Sequence, residues 1–134
     1  MNWKLEVVVV PVSDVDRAKD FYAESVGFNV DHDVTPGGDM RVVQLTPPGS
    51  ACSIVLGTGI GDGQPGSVQG LQLIVPDIAT AHETLTGRGV PVSEIQHMGP
   101  ADRDGSKFAF FKDPDGNGWA LQEIRERVST EEPS

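Results

Sequence analysis

Cysteine is nearly absent from this sequence of 134 residues, in which Cys52 is the only one. A single cysteine excludes an intrachain disulfide and a cysteine-based zinc cluster. The sequence also lacks an apolar run near the roughly 20 residues that a membrane-spanning helix needs, and its first residues lack the apolar stretch of a signal peptide. These absences predict a cytoplasmic protein that does not enter a membrane.

Positive charge is the second scarcity. Ten Lys and Arg stand against 20 Asp and Glu, which gives a formal net charge of −10. Because binding to nucleic acid or to an anionic membrane surface depends on clustered cations, we expect neither partner. With 37% hydrophobic and 22% charged residues the chain is globular rather than disordered, and its length fits one domain. Small molecules and other proteins remain as partners.

The sequence contains an internal repeat. Residues 12–15 (VSDV) are echoed by residues 75–78 (VPDI). An apolar stretch typical of a strand precedes each copy, and apolar residues at spacings of three and four follow it, as in an amphipathic helix. Ser13 or Asp14 is suited to cap the first helix and Asp77 the second, and the helices end before Gly27 and Gly89.

Each half of the repeat is therefore predicted to be a strand, a helix and three further strands. The halves cover residues 3–57 and 69–125, with a glycine-rich linker between them and a frayed tail over residues 126–134. The predicted strands cover residues 5–12, 28–34, 40–46, 51–56, 71–75, 90–96, 107–111 and 119–124.

Two segments resemble a known family. VSDVDRAKDFYAESVGF at residues 12–28 and FFKDPDGNGWALQE at residues 110–123 look like the vicinal oxygen chelate (VOC) superfamily, which includes glyoxalase I, bleomycin-resistance proteins and extradiol dioxygenases. The resemblance covers roughly residues 3–125. It implies an α+β fold in which two βαβββ units form an incomplete eight-stranded barrel around a cleft, in a protein that forms homodimers.

The resemblance also implies positions for metal ligands. Metal-dependent members hold a divalent ion with a side chain from the first and last strand of each unit, seven residues before the Asp that starts the helix and three residues after the closing turn. Here these positions are Val7, Ser53, Gly70 and Ala120. Three of the four have no donor atom in their side chains, so we expect no metal and no other cofactor.

The side chains that would face the cleft follow from strand alternation and are mostly apolar, with a few amides and one hydroxyl. Such a lining suits an uncharged or aromatic molecule oriented by hydrogen bonds. Core packing explains the valines equally well, and a structural hydrogen bond explains Gln72 and Gln122 equally well, so both alternatives stay open. The predicted ligand-binding residues are Val7, Val9, Gln44, Ser53, Gly70, Gln72, Ala120 and Gln122.

The loop at residues 96–106 gathers an imidazole, two carboxylates and a guanidinium. A loop over a cleft often carries function, so His97 is the candidate catalytic residue, and Asp102 or Asp104 is the alternative acid-base group of the loop. A solvated turn without function is the alternative.

Two functions from different classes follow. The first is a glyoxalase/bleomycin-resistance-like protein that binds a small organic molecule in an apolar cleft without the usual divalent metal. The alternative is a VOC-type enzyme, a lyase, isomerase or dioxygenase, that uses the loop groups or unconventional metal ligands such as Gln44, Gln72 and Gln122. A protein that binds no ligand is a third possibility if side chains fill the cleft.

Overall fold

The computed structural model describes residues 2–100 and 102–125, so the predicted tail at residues 126–134 lies outside the described residues. The chain divides into two compact units. The first extends to Val68 and includes the turn Asp113–Asn117, and the second contains the other described residues.

The first unit contains one four-stranded sheet. Its strand order is β1-β4-β3-β2, with β1 parallel to β4 and the other pairs antiparallel. The elements are β1 (Val7–Val9), α1 (Val15–Asp20), a π-helical segment (Phe21–Val26), β2 (Asn29–Gly37), β3 (Met40–Thr46) and β4 (Ser53–Thr58).

The second unit repeats this plan in the order β5-β8-β7-β6, with β5 parallel to β8. Its elements are β5 (Leu71–Val75), α2 (Ile78–Gly87), β6 (Gln96–His97), β7 (Lys107–Lys112) and β8 (Gly118–Glu123). The predicted α+β fold of two βαβββ units is confirmed.

The helix caps lie where the sequence predicts them. The Asp14 carboxylate accepts a hydrogen bond from the Arg17 N–H at 3.0 Å, and Asp77 accepts one from the Thr80 N–H at 3.2 Å. Gly27 ends the first helix with a left-handed φ of 99°, which glycine adopts without steric cost. The helix was expected to be α-helical throughout, but its second half is π-helical.

One face of each sheet packs against the helix of its own unit. In the first unit, Val43, Leu45 and Leu56 are fully buried on that face together with Ala18 and Tyr22 of the helix. In the second unit the buried residues of that face are Ala109, Phe111, Trp119 and Leu121, together with Ile78 and Leu85 of α2. We call the other face of each sheet, which its own helix does not cover, the open face.

Two predicted strands are shorter than expected, and proline contributes in both. The strand expected over residues 5–12 is only Val7–Val9, and Pro11 has no N–H for a ladder bond. The strand expected over residues 90–96 is reduced to Gln96–His97. There the Val90 N–H bonds back to Leu85 of the helix, Pro91 has no N–H, and the Ser93 hydroxyl accepts the Phe110 N–H at 2.9 Å in place of a ladder carbonyl.

None of the helices formed by residues 2–100 and 102–125 is long and apolar enough to cross a membrane.

Candidate functional site

Four of the predicted ligand-binding residues lie on the open face of the first sheet. Val7 is paired with Ser53, Val9 with Val55, and Gln44 also with Val55, so their side chains share one face. Leu45 and Ile54, which alternate with them, lie on the helix-covered face and are buried. The alternation used on the sequence therefore assigns the faces of this sheet correctly.

The polar side chains of this face form one hydrogen-bonded group. The hydroxyl oxygens of Thr46 and Ser53 lie 2.6 Å apart. The Thr46 hydroxyl donates to Oδ2 of Asp31, and the Gln44 amide donates to the same oxygen at 3.3 Å and to Ser53 Oγ at 3.4 Å. We call these four residues, Asp31, Gln44, Thr46 and Ser53, the polar strip.

Asp31 and Thr46 belong to this group although neither is among the predicted ligand-binding residues. Asp31 lies at a β-bulge, because the pairing of β2 with β3 shifts by one residue between Val30 and His32. A bulge redirects one side chain relative to regular alternation and is common next to binding sites. Thr46 could have been found, since it lies two residues beyond Gln44 on the same strand.

The open face of the second sheet carries two linked amides. The Gln72 Nε2 donates to Gln122 Oε1 at 2.7 Å, and the Gln122 Nε2 donates to the carbonyl oxygen of Gly105 at 2.8 Å. The Gln122 side chain thus accepts a hydrogen bond from the Gln72 amide and donates one to the loop before β7. Gln72 is exposed and Gln122 is half-buried, so both remain within reach of a ligand.

Two aromatic rings that are not among the predicted ligand-binding residues lie on the same face. Phe108 is paired with Gln122 and Phe110 with Ala120. Their rings are nearly parallel, with centroids 6.4 Å apart and an interplanar angle of 7°. Both rings are half-buried. Phe111, the neighbour of Phe110 on the same strand, is buried on the helix-covered face. Because side chains alternate between the two faces along β7, the positions of both rings could have been identified from the sequence.

Strand register changes the correspondence between the two units. Val7 lies opposite Ser53 in the first sheet, whereas Gln72 lies opposite Ala120 in the second. Gly70, which lies seven residues before Asp77, precedes β5 and has a left-handed φ of 84°. By register, Gln72 is therefore the counterpart of Val7.

The reason for this shift is a difference in the connection from the first strand to the helix. Val12 and Ser13 lie between Pro11 and the capping Asp14 in the first unit, but Asp77 directly follows Pro76 in the second. Counting back from the helix cap by the same number therefore overshoots by two residues in the second unit.

The side chains at the corresponding positions, Val7, Ser53, Gln72 and Ala120, do not fit a divalent metal ion. Val7 and Ala120 offer no donor atom, the Ser53 hydroxyl is bonded to Thr46 and Gln44, and the Gln72 amide is bonded to Gln122. Elsewhere in residues 2–100 and 102–125, no three side chains of His, Cys, Asp or Glu group in a way that could hold a metal.

The loop before β7 borders a small, partly open polar cavity of about 260 Å³ over the open face of β8. Met98, Arg103, Ser106 and Gln122 contribute to its lining. The Ser106 hydroxyl is buried without a hydrogen-bond partner among the described residues. His97 is not part of this lining; it is exposed on β6, opposite Lys107.

A cluster of charge interactions lies away from the open faces. Arg41 forms two hydrogen bonds with the Asp33 carboxylate, at 3.0 and 2.8 Å, and one with Asp16 of α1 at 2.8 Å. Lys19 adds a contact to Asp33 at 2.9 Å. Hydrogen bonds from Arg41 and then from Lys19 hold the pKa of Asp33 well below its ordinary value. This cluster joins the helix to the sheet and has a structural role.

Comparison with known proteins agrees with this architecture. Residues 4–121 match the family model of the Glyoxalase/Bleomycin resistance protein/Dioxygenase superfamily. The fold is similar to that of TnmS3, an antibiotic binding protein from Streptomyces sp. CB03234, with 36% identity, 92% of this chain and 97% of that chain covered, and a TM-score of 0.77.

Two further relatives are similar over comparable lengths. A glyoxalase/bleomycin resistance protein from Streptomyces sp. CB03234 is 38% identical, with 89% of this chain and 99% of that chain covered and a TM-score of 0.74. The protein YetH of Bacillus subtilis (strain 168) is 27% identical over 122 residues, which are 90% of this chain and 98% of YetH. The chain belongs to the Glyoxalase/Bleomycin resistance protein/Dioxygenase superfamily.

Proposed function

We propose that this protein binds a small organic molecule with aromatic character in the cleft that the VOC resemblance implies, without the usual divalent metal. The observation that carries the proposal is the replacement of metal-ligand chemistry by hydrogen-bonding and aromatic groups. The polar strip lies on one open face, and the Gln72–Gln122 pair with Phe108 and Phe110 lies on the other.

The similarity to TnmS3 supports the same function, since that protein is an antibiotic binding protein and is covered almost completely by this chain. A planar aromatic molecule could stack on the Phe110 ring and take its orientation from amide and hydroxyl groups. Ligand recognition of this kind requires shape and hydrogen bonds but no reacting group.

Enzymatic activity is the alternative, as a lyase, isomerase or dioxygenase that uses loop groups. His97 lies exposed on a two-residue strand, and Asp104 is engaged by the Arg125 N–H at 3.0 Å. Neither arrangement activates a base or a nucleophile, so binding is the function that we propose.

We also propose that the protein acts as a homodimer. Trp3 and Leu5 are 83% and 68% exposed just before the edge strand β1, and Val9 on that strand is 40% exposed. Apolar side chains clustered at a sheet edge are suited to burial by a second copy. Sedimentation of the wild type and of a Trp3→Ser, Leu5→Ser variant tests this, and a monomeric wild type would contradict it.

The single cysteine is the basis on which we propose a cytoplasmic location.

The binding function is tested by two measurements on the purified protein. Elemental analysis is expected to find no stoichiometric metal, and about one ion per chain would contradict metal-free binding. A thermal-shift panel of aromatic molecules in EDTA is expected to yield compounds that raise the unfolding temperature, because a ligand that binds only the folded state stabilises it. A panel without a single stabilising compound would count against the proposal.

A further inference from the structure

The polar strip has a one-sided hydrogen-bonding capacity. A carboxylate can only accept, so the Thr46 hydroxyl must be the donor in its contact with Asp31. The hydrogen between Thr46 and Ser53, whose oxygens lie 2.6 Å apart, must then come from Ser53. Both hydroxyl hydrogens are therefore used inside the strip.

The Gln44 amide is used in the same way. Its Nε2 carries two hydrogens, and this nitrogen lies 3.3 Å from Asp31 Oδ2 and 3.4 Å from Ser53 Oγ. The carboxylate also fixes the orientation of the amide, because a reversed amide would place two acceptors against each other. All four donor hydrogens of the strip are thus consumed by the strip itself.

What the strip retains is acceptor capacity. Asp31 Oδ1 and Gln44 Oε1 have no hydrogen-bond partner among the described residues, and Asp31 is exposed while Gln44 is half-exposed. The Asp31 carboxylate lies at the β-bulge between Val30 and His32. Lys19 and Arg41 both form ion pairs with Asp33, which lies on the helix-covered side of the sheet.

We propose, on the basis of the binding function above, that the polar strip selects ligands that carry a hydrogen-bond donor, a protonated amine before a phenol, and discriminates against ligands that only accept. A donor on the ligand would form a hydrogen bond with Asp31 Oδ1 or Gln44 Oε1. An acceptor at the same place would instead lie against these two unpaired acceptor atoms, one of which belongs to a carboxylate. Asp31 is the specificity-determining residue.

The test compares four probes built on one ring system by calorimetric titration in EDTA: 2-naphthylmethylammonium, 2-naphthol, 2-methoxynaphthalene and 2-naphthoate. The expected order of affinity follows the order of naming, with the ammonium probe about tenfold or more tighter than the methoxy probe. The affinity of the ammonium probe is also expected to fall with added salt.

Asp31→Asn keeps the shape of the side chain but supplies donor hydrogens, so the preference for the ammonium probe is expected to fall about tenfold and the methoxy probe to gain affinity. Asp31→Ala is the second variant, and the thermal unfolding of each shows that it folds. Asp20→Asn is the matched control, because it removes one negative charge at an exposed position of the same unit.

The outcomes separate the two proposals. Equal affinities of the wild type for the ammonium and methoxy probes, or an unchanged preference in Asp31→Asn, would overturn the selectivity and leave the binding function intact. Failure of the wild type to bind any of the four would overturn both. A loss of preference in Asp20→Asn equal to that in Asp31→Asn would show that net charge, not the strip, sets the order.

Discussion

The hydroxyl of Tyr22 donates a 2.7 Å hydrogen bond to the carboxylate of Asp113, although the two residues are 91 positions apart in the chain. Close by, the Ser13 hydroxyl donates to Asp115 at 2.6 Å, and the Asn117 amide donates to the Pro11 carbonyl at 2.8 Å. The two segments on which the family resemblance rests therefore contact each other within the first unit.

Tyr22→Phe is predicted to lower the free energy of unfolding by about 1.5–2 kcal/mol, the lower part of the range for a hydrogen bond to a charged group. The loss stays in this range because Asp113 Oδ2 keeps the bond from the Asn117 amide at 2.8 Å. Urea denaturation of the two proteins measures the difference. A variant as stable as the wild type would show that the Tyr22 hydroxyl adds nothing to the contact.

The ion cluster around Asp33 predicts a pH-dependent stability. Hydrogen bonds from Arg41 lower the pKa of Asp33 in the folded protein. The ionised Asp33 carboxylate therefore makes its full contribution to stability at pH values above the unfolded pKa of about 3.9. The contribution is lost as the pH falls from there toward the folded pKa. Asp33→Asn is therefore expected to be less stable than the wild type by about 1 kcal/mol at pH 7, with the difference shrinking below about pH 4.

The measurement for Asp33 is a series of urea denaturation curves from pH 7 to pH 2. Asp39→Asn is the control, because Asp39 is exposed in the turn between β2 and β3 and the change removes the same charge. A stability difference that stays constant down to pH 2 would contradict the assignment to Asp33.

Local patterns made much of the fold predictable. The caps at Asp14 and Asp77 follow from short-range hydrogen bonds, and the faces of Gln44 and Gln122 follow from strict alternation along a strand. Each depends on neighbours within a few residues. Such features can be read from a single sequence.

The remaining features depend on register between distant strands. The bulge at Asp31 exists only in the pairing of β2 with β3, and the offset that makes Gln72 the counterpart of Val7 depends on the length of a connection. A shift of one residue turns a side chain to the other face, so no count along the chain reveals it. The register of the strands therefore decides which polar groups meet.

The paired phenylalanines predict a selective effect on binding. Phe110→Leu is expected to weaken 2-naphthol about three- to tenfold, because aromatic stacking contributes about 0.5–1.5 kcal/mol beyond burial. Phe111→Leu is the matched control, since Phe111 is the next residue on the same strand and is buried against the helix side. It should reduce stability but leave the affinity unchanged. Equal losses of affinity in both variants would argue against a ligand on the open face.

The Gln122 amide holds the loop before β7 through the Gly105 carbonyl, at 2.8 Å. Gln122→Leu removes this bond and also the acceptor of Gln72, whereas Gln72→Leu leaves the Gly105 bond in place. Since one hydrogen bond contributes about 1 kcal/mol, the loop in Gln122→Leu should open about fivefold more often. Trypsin should then cut after the exposed Arg103 about fivefold faster, with the site identified by mass spectrometry. Gln72→Leu should be cut at the wild-type rate, and faster cleavage of both variants would mean that the amide pair, not the Gly105 bond, holds the loop.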